Sequence, residues 1–224
     1  TLTIAEGATV VLSAANVSVV INDNTNMFAG SQTWNVPSGR VLRFSNGGVT
    51  AASARADSSG SDGLIDITGG GVVSLNQGGG STGADANSFA TFTGSWRVGG
   101  GSTLRGIRSG ATAWGQGSIT LNNGTLASGG MSGDVGGWSW TNSITVNAGT
   151  TNYLADHNVT GTGRYVSFAG ALSGSGNLVL LQPLVAASGF SSADQSFVFC
   201  GNNTMSGTLT IGGPAENGVT NRLS

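Results

Sequence analysis

The sequence predicts an all-β fold, a right-handed parallel β-helix (β-solenoid) of about eight coils that occupies residues 1–224 as a single segment. Three observations lead to this prediction. A six-residue pattern recurs eight times, at intervals of 23 to 34 residues. Glycine accounts for 40 of the 224 residues, and charged residues account for only 8%. Helical proteins are instead rich in residues such as Glu and Lys, and this chain has no Lys.

The recurring pattern is an apolar residue, any residue, a second apolar residue, two further residues and a Gly or Pro. Because side chains alternate across a strand, the two apolar positions face one side and the residue between them faces the other. We expect the apolar positions to form two inward columns, stacked in eight rungs. The closing Gly or Pro fits a corner, where the backbone needs a positive or preset φ. The copies begin at Leu2, Trp34, Ile65, Trp96, Ile119, Ile144, Leu178 and Leu209.

A second apolar alternation follows several copies, at Val10/Leu12, Leu42/Phe44 and Val73/Leu75. A unit with two or three short strands cannot close its own core, but it can do so when stacked on further units. Two polar runs, residues 45–63 and 76–88, are predicted to be loops at one corner. An antiparallel sandwich or barrel is the main alternative, since it also has short strands and Gly-rich turns, but it gives no reason for the 23–34-residue interval.

The composition argues against several classes of protein. The formal net charge is −2, so we expect no nucleic-acid partner, and a single Cys cannot support a disulfide scaffold. Residues 9–21 form the most apolar stretch, which is too short and too polar to span a membrane. The sequence starts at Thr1, and its first residues do not show the charged and apolar pattern of a leader. We therefore expect a segment excised or processed from a longer repeat protein.

Four stretches carry a resemblance to a known family, the autotransporter-associated β-strand repeats. Residues 113–126, AWGQGSITLNNGTL, resemble the repeat unit, and residues 92–104, FTGSWRVGGGSTL, are a looser copy. Residues 199–211, FCGNNTMSGTLTI, are similar to a second unit, although Cys200 and Met205 depart from its pattern. Residues 169–180, AGALSGSGNLVL, resemble the segment that precedes the unit. The resemblance implies a right-handed β-helix in a large secreted or surface-displayed bacterial protein, without catalytic residues.

Candidate catalytic and metal-binding residues are few. His157 follows Asp156, but no nucleophile motif accompanies them, so the pair is interpreted as a surface loop. The carboxylates are scattered, whereas a polysaccharide lyase or hydrolase needs them clustered. Residues 22–26, 60–70 and 79–85 lack the spacing of calcium loops. We therefore expect no enzyme activity, no metal and no cofactor.

Trp138 and Trp140 are the candidate binding residues. They face the same side of an extended segment, and an exposed aromatic pair can stack on sugar rings. The alternative interpretation, which the pattern favours, is that both fill the core. Trp34 and Trp96 are predicted core residues, and Trp114 a structural one.

Two further side-chain predictions concern single positions. Asp66 and Arg97 are outward residues of consecutive copies, so we expect an ion pair between neighbouring coils. Cys200 faces opposite Phe197 and Phe199 in an alternating run. A lone cysteine of this kind is expected to be buried and inert, with interchain pairing as the alternative.

The two ends of a β-helix expose unpaired strand edges that invite pairing with another chain. The low charge of this sequence weakens repulsion between such ends. We therefore expect a non-catalytic, extracellular or bacterial cell-surface structural or adhesive β-helix. It would serve as a stalk or filament subunit and associate end to end or with neighbouring coils. A glycan-binding module and a polysaccharide lyase or hydrolase are the alternatives.

Overall fold

A computed structural model of the chain describes residues 2–4, 9–11, 19–21, 26–28, 30–45, 63–76, 92–107, 114–129, 138–156, 165–181 and 196–212. All regular structure in these ranges is β-strand. The twenty strands are β1 (Leu2–Ile4), β2 (Thr9–Val11), β3 (Val19–Ile21), β4 (Asn26–Phe28), β5 (Gln32–Asn35), β6 (Val41–Ser45), β7 (Leu64–Thr68), β8 (Val72–Asn76), β9 (Ser95–Gly99), β10 (Thr103–Ile107), β11 (Ile119–Asn122), β12 (Thr125–Gly129), β13 (Trp138–Trp140), β14 (Ile144–Val146), β15 (Thr151–Asp156), β16 (Tyr165–Phe168), β17 (Leu172–Gly174), β18 (Asn177–Leu181), β19 (Ser196–Phe199) and β20 (Leu209–Gly212).

These strands form parallel sheets that together make a β-solenoid. The largest sheet has the order β20-β18-β15-β12-β10-β8-β6-β3, and the second has the order β17-β14-β11-β9-β7-β5-β2. A three-stranded sheet, β13-β16-β19, and the pair β1-β4 complete the set. Neighbours within a sheet are not consecutive in the chain, so the chain visits the sheets in turn and returns one strand further along. The predicted all-β solenoid is therefore confirmed for the described residues.

The central columns of the repeat stack as the sequence predicts. In the seven-stranded sheet, Ile65 pairs with Trp96, Trp96 with Ile119, and Ile119 with Ile144. All four side chains are buried. Parallel stacking in register thus places equivalent apolar residues directly above one another, and this is the part of the motif alignment that the structure confirms.

The count of eight coils is not supported, because the eight motif copies do not form one column. The strand that begins the copy at Leu2 pairs with β4 in the two-stranded sheet. The copies at Leu178 and Leu209 lie in β18 and β20 of the eight-stranded sheet. Both large sheets bury one face, so the same alternating pattern suits either sheet. The six-residue motif alone does not tell them apart.

Trp34 also lies in a different register from the predicted one. It pairs with Ile67, while Gln32 pairs with Ile65. A shift of two residues keeps every side chain on its original face, so the apolar pattern cannot detect it. The shift buries Gln32, whose Oε1 accepts a hydrogen bond from the Trp34 indole Nε1 at 3.0 Å.

The predicted second strands are confirmed at two of three positions. Leu42 pairs with Val73, and Phe44 with Leu75, between β6 and β8. Val10 instead pairs with Trp34, so β2 belongs to the seven-stranded sheet. The predicted loops lie almost wholly outside the described residues.

Aromatic rings form part of the core along the solenoid. The rings of Trp114 and Trp140 lie 4.1 Å apart, and Phe168 lies 5.4 Å from Trp140. Phe199 continues this column, 5.4 Å from Phe168. Such tilted and stacked pairs add about 0.5–1.5 kcal/mol each to the stabilisation that comes from buried area. The column therefore ties consecutive strands of the three-stranded sheet to the core.

Glycines occupy the corners for two different reasons. Four of the predicted corner glycines, Gly39, Gly70, Gly101 and Gly149, have positive φ angles of 72° to 81°. At the fifth, Asn123 takes the positive φ of 64°, and Gly124 packs against the carbonyl of Val98 instead. A β-carbon on Gly124 would lie 2.3 Å from that oxygen.

A second corner depends on close approach between backbones of successive coils. A β-carbon on Gly94 would lie 2.4 Å from the carbonyl oxygen of Gly63, and one on Gly117 would lie 2.0 Å from that of Gly94. Gly170 and Gly201 show the same relation further along, at 2.1 Å each. These positions exclude any side chain, so the corner glycines are a requirement of coil stacking.

We predict that Leu121→Asp abolishes the cooperative thermal unfolding transition. Leu121 is fully buried, and a carboxylate placed there would lack a partner. A buried charge without a partner costs about 3–5 kcal/mol, which is much of the stability of an ordinary domain. Thr120→Asp is the matched control, because Thr120 faces outward next to Arg97. A cooperative melt retained by Leu121→Asp would contradict the inward column.

We also predict that Gly117→Ala destabilises the chain more than Gly149→Ala. The new methyl group would collide with the Gly94 carbonyl in the first variant, whereas no atom lies within 4 Å in the second. Overpacking costs about 1–3 kcal/mol, and the positive φ of Gly149 alone costs about 1 kcal/mol. Urea unfolding monitored by tryptophan fluorescence measures both. Equal losses would show that coil spacing at this corner is adjustable.

Candidate functional site

Trp140, one of the two candidate sugar-binding residues, lies in the core. Its side chain is 1% exposed, and its ring packs between those of Trp114 and Phe168. It therefore offers no open face to a sugar ring, as the core interpretation predicted. Trp138 lies in β13, but its side chain is outside the described part of the structure. Its glycan-binding role remains a prediction.

The burial of the other three described tryptophans agrees with the predictions from the sequence. Trp34, Trp96 and Trp114 are fully buried. The Trp96 indole donates a hydrogen bond to the carbonyl of Trp114 at 2.7 Å, which links two coils through the core. His157 and the polar runs considered for calcium, apart from residue 26 and residues 63–70, lie outside the described residues.

Asp66 and Arg97 form the predicted ion pair between neighbouring strands. They are register partners in β7 and β9. Arg97 Nε donates to Asp66 Oδ1 at 2.8 Å, and the Arg97 Nη2 donates to Oδ2, so the contact is bidentate. Hydrogen bonding to Asp66 raises the pKa of Arg97 above its usual value, against a smaller opposing effect of burial. Since this pair is satisfied internally, it serves as a clasp on the outer face.

Cys200 differs from its predicted burial. It faces away from the core, as the alternation requires, but its side chain is exposed. Its Sγ lies 3.5 Å from the Ser167 Oγ of the preceding strand. The expectation of a buried cysteine is therefore wrong.

The feature with the clearest potential for recognition is the last part of the solenoid that the structure describes. We call residues 196–212 the C-terminal edge. Its backbone is bonded to the preceding coil at several points. Cys200 N donates to the Phe168 carbonyl at 2.9 Å, Thr204 N to the Leu172 carbonyl at 2.8 Å, and Ser206 N to the Gly174 carbonyl at 2.9 Å. The segment at 203–206 thus extends the seven-stranded sheet without being a regular strand.

Two asparagine side chains complete this junction. Asn203 Oδ1 accepts a hydrogen bond from Leu172 N at 2.9 Å, and Asn177 Oδ1 accepts one from Thr208 N at 3.3 Å. Both residues fall outside the repeat motif, which is defined by its apolar and glycine positions. Asparagine next to a corner is the signal that could have found them, since its amide can substitute for a ladder hydrogen bond.

The core columns open towards solvent at the C-terminal edge. Phe168, Leu178 and Leu180 are buried, with exposed fractions of 3% or less. Their register partners in the edge, Phe199, Leu209 and Ile211, are only partly buried. Met205 is also partly buried against the core. Among the described residues, the edge therefore presents a row of half-covered apolar side chains together with the outer backbone of β20.

Three buried polar atoms have no hydrogen-bond partner among the described contacts. They are the indole nitrogens of Trp114 and Trp140 and the Oδ1 of Asn142. The amide nitrogen of Asn142 is well used, because it donates to the carbonyls of Gly115 and Gly117 at 3.0 and 2.7 Å. These two hydrogen bonds therefore tie Asn142 to the corner at residues 115–117 in the preceding coil.

Within the described ranges, no three His, Cys, Asp or Glu residues lie close enough together to hold a metal ion. The same ranges contain no helix with the length and apolarity needed to cross a bilayer. No protein-family model, curated protein or solved structure gives a significant match to this chain. The solenoid and its edge are thus the features from which function has to be inferred.

We predict a weak coupling between Asp66 and Arg97. Arg97 is 44% exposed, and ion pairs of this kind contribute about 0.2–1 kcal/mol. A double-mutant cycle with Asp66→Asn and Arg97→Gln, measured by urea unfolding, should give a coupling free energy in this range that falls at high salt. A coupling above 3 kcal/mol would assign the clasp a dominant role in stability.

Proposed function

We propose that this chain is a non-catalytic structural or adhesive β-helix, extracellular or on a bacterial cell surface, which acts as a stalk or self-assembling filament building block. The resemblance of residues 113–126 and 199–211 to autotransporter-associated repeats supports a secreted, surface-displayed setting. It also supports a right-handed coil, which is the usual hand of parallel β crossovers. The same proposal includes a stack of about eight coils.

The observation that carries the proposal is the half-covered apolar row at the C-terminal edge. Leu209 and Ile211 continue columns whose preceding members are buried. A further coil laid on this edge would bury them and would pair the outer backbone of β20. Edge strands are a known route to association unless they are blocked.

The parallel arrangement favours head-to-tail rather than head-to-head association. In a parallel stack, the hydrogen-bonding groups on one end complement those on the opposite end of an identical molecule. In the described residues, β3 and β2 are the outermost strands of the two large sheets at that opposite end. A heterologous contact of this kind does not close on itself and so generates an open filament.

Because the chain carries little charge, the ends of two molecules can approach each other with little electrostatic repulsion. Charged residues are 8% of the chain, and the described part of the C-terminal edge contains none. Repulsion between ends is therefore weak even at low ionic strength.

We expect the purified chain to form rods whose length grows with concentration, seen by negative-stain electron microscopy and sedimentation velocity. Ile211→Lys should shorten or abolish them, because a lysine on an edge strand blocks pairing. Thr145→Lys is the matched control on the side of the solenoid and should leave assembly unchanged. A wild-type chain that stays monomeric at all concentrations, with normal folding by circular dichroism, would overturn self-assembly.

A further inference from the structure

The corner between β11 and β12 contains an Asn–Gly dipeptide, Asn123–Gly124. Asn123 takes a positive φ of 64°, which glycines take at the other corners of this kind, and its side chain is exposed. After glycine, asparagine is among the residues that enter this left-handed region most readily. Asparagine therefore satisfies the turn, but it also places a chemically labile side chain directly before a glycine.

An Asn–Gly pair reacts within its own main chain, without help from another residue. The main-chain nitrogen of Gly124 attacks the side-chain carbonyl carbon of Asn123. The carbon–nitrogen bond of the side-chain amide breaks, and ammonia leaves with the proton of the Gly124 N–H. Water then opens the resulting five-membered imide at either carbonyl and gives aspartate or isoaspartate. Because glycine has no β-carbon, its nitrogen is unusually accessible for this attack.

In the folded chain, the attacking nitrogen takes part in a buried hydrogen bond. Gly124 N donates to the Oδ1 of Asn152 at 3.0 Å. Asn152 is fully buried and precedes Tyr153, whose register partner is Thr125. The Asn152 side chain is itself held, since its Nδ2 donates to the Oγ1 of Thr150 at 2.7 Å. This hydrogen bond must break before the nitrogen can form a bond to Asn123.

The peptide groups on either side of that nitrogen are also fixed. Asn123 O accepts a hydrogen bond from Gly101 N at 2.7 Å, and Gly124 O accepts one from Tyr153 N at 3.0 Å. The main chain of Gly124 lies against Val98, whose carbonyl oxygen would be 2.3 Å from an added β-carbon. The corner is thus held by the coils before and after it, and the peptide has little freedom to rotate.

We propose that Asn123 is a deamidation site whose reaction is controlled by Asn152. While Asn152 accepts the Gly124 N–H, the nitrogen is withheld from the imide. Local opening of the corner releases it, and the reaction then proceeds with water as its co-reactant. Isoaspartate would lengthen the main chain at a corner that is tied to both neighbouring coils, so the product marks molecules in which this corner has opened. The site does not depend on the proposed assembly.

The test is peptide mapping by mass spectrometry after incubation of the full chain in mildly alkaline buffer, with and without a denaturing concentration of urea. Two further Asn–Gly pairs, Asn46–Gly47 and Asn217–Gly218, calibrate the reaction of the unfolded chain in the same digests. We expect Asn123 to deamidate at least about tenfold more slowly in the folded chain than in urea, because the corner must first open. Equal rates in the two conditions would overturn the proposal.

Variants separate the Asn152 hydrogen bond from general stability. Asn152→Ala removes the acceptor and should raise the rate at Asn123 in the folded chain by roughly fivefold, as expected for the loss of an ordinary hydrogen bond. Asn142→Ala is the matched control. Asn142 is also a buried asparagine that bonds a corner backbone, at residues 115–117, so this variant should leave the rate at Asn123 unchanged. Equal acceleration by the two variants would overturn control by Asn152.

Hydrogen exchange supplies a measurement on the wild type, which decides if Asn152→Ala does not fold. Exchange of the Gly124 amide and deamidation of Asn123 require the same opening. Both rates should therefore rise in proportion as urea is added below the unfolding midpoint. Rapid exchange of the Gly124 amide in the folded chain, or rates that vary independently, would contradict the proposal.

Discussion

The hydrogen-bonded stacking of parallel strands is the interaction on which the rest of this structure depends. Each strand finds its partners one coil before and one coil after, as in the series Ile65, Trp96, Ile119 and Ile144. Because neighbours are parallel and in register, like residues meet like. Apolar residues then form columns in the core, and polar residues form columns outside it. A side chain in one strand must therefore pack against the side chains at the same position in the coils on either side.

This repetition explains how a chain with so little charge and so much glycine can fold. In the described part of the chain, continuous apolar columns and aromatic contacts such as that of Trp114 with Trp140 stabilise the fold. The surface columns can vary more freely, and they differ between the two large sheets. One carries the clasp of Asp66 and Arg97, and the other carries two arginines around Ser74.

Much of the fold could be predicted from the sequence, because alternation of apolar residues and the corner glycines are local signals. The assignment of motif copies to sheets could not. The strands at Leu178 and Leu209 carry the same alternation as the strand at Ile119, yet they lie in another sheet. A two-residue shift at Trp34 was equally invisible, since it changes no side chain's face. Of the candidate site, the burial of Trp140 agrees with the core interpretation. The exposure of Cys200 and the opening of the columns at Leu209 and Ile211 depend on how coils end, which no single motif encodes.

The corner at Gly63, Gly94 and Gly117 has a consequence for how such a molecule can change in size. There the main chain of one coil rests directly on the main chain of the next, with no side chain between them. The axial rise at this corner is consequently set by contact and hydrogen bonding between main chains and not by the volume of any particular side chain. Adding or deleting a whole coil would lengthen or shorten the molecule in constant increments at unchanged cross-section, so the number of coils would act as a molecular ruler.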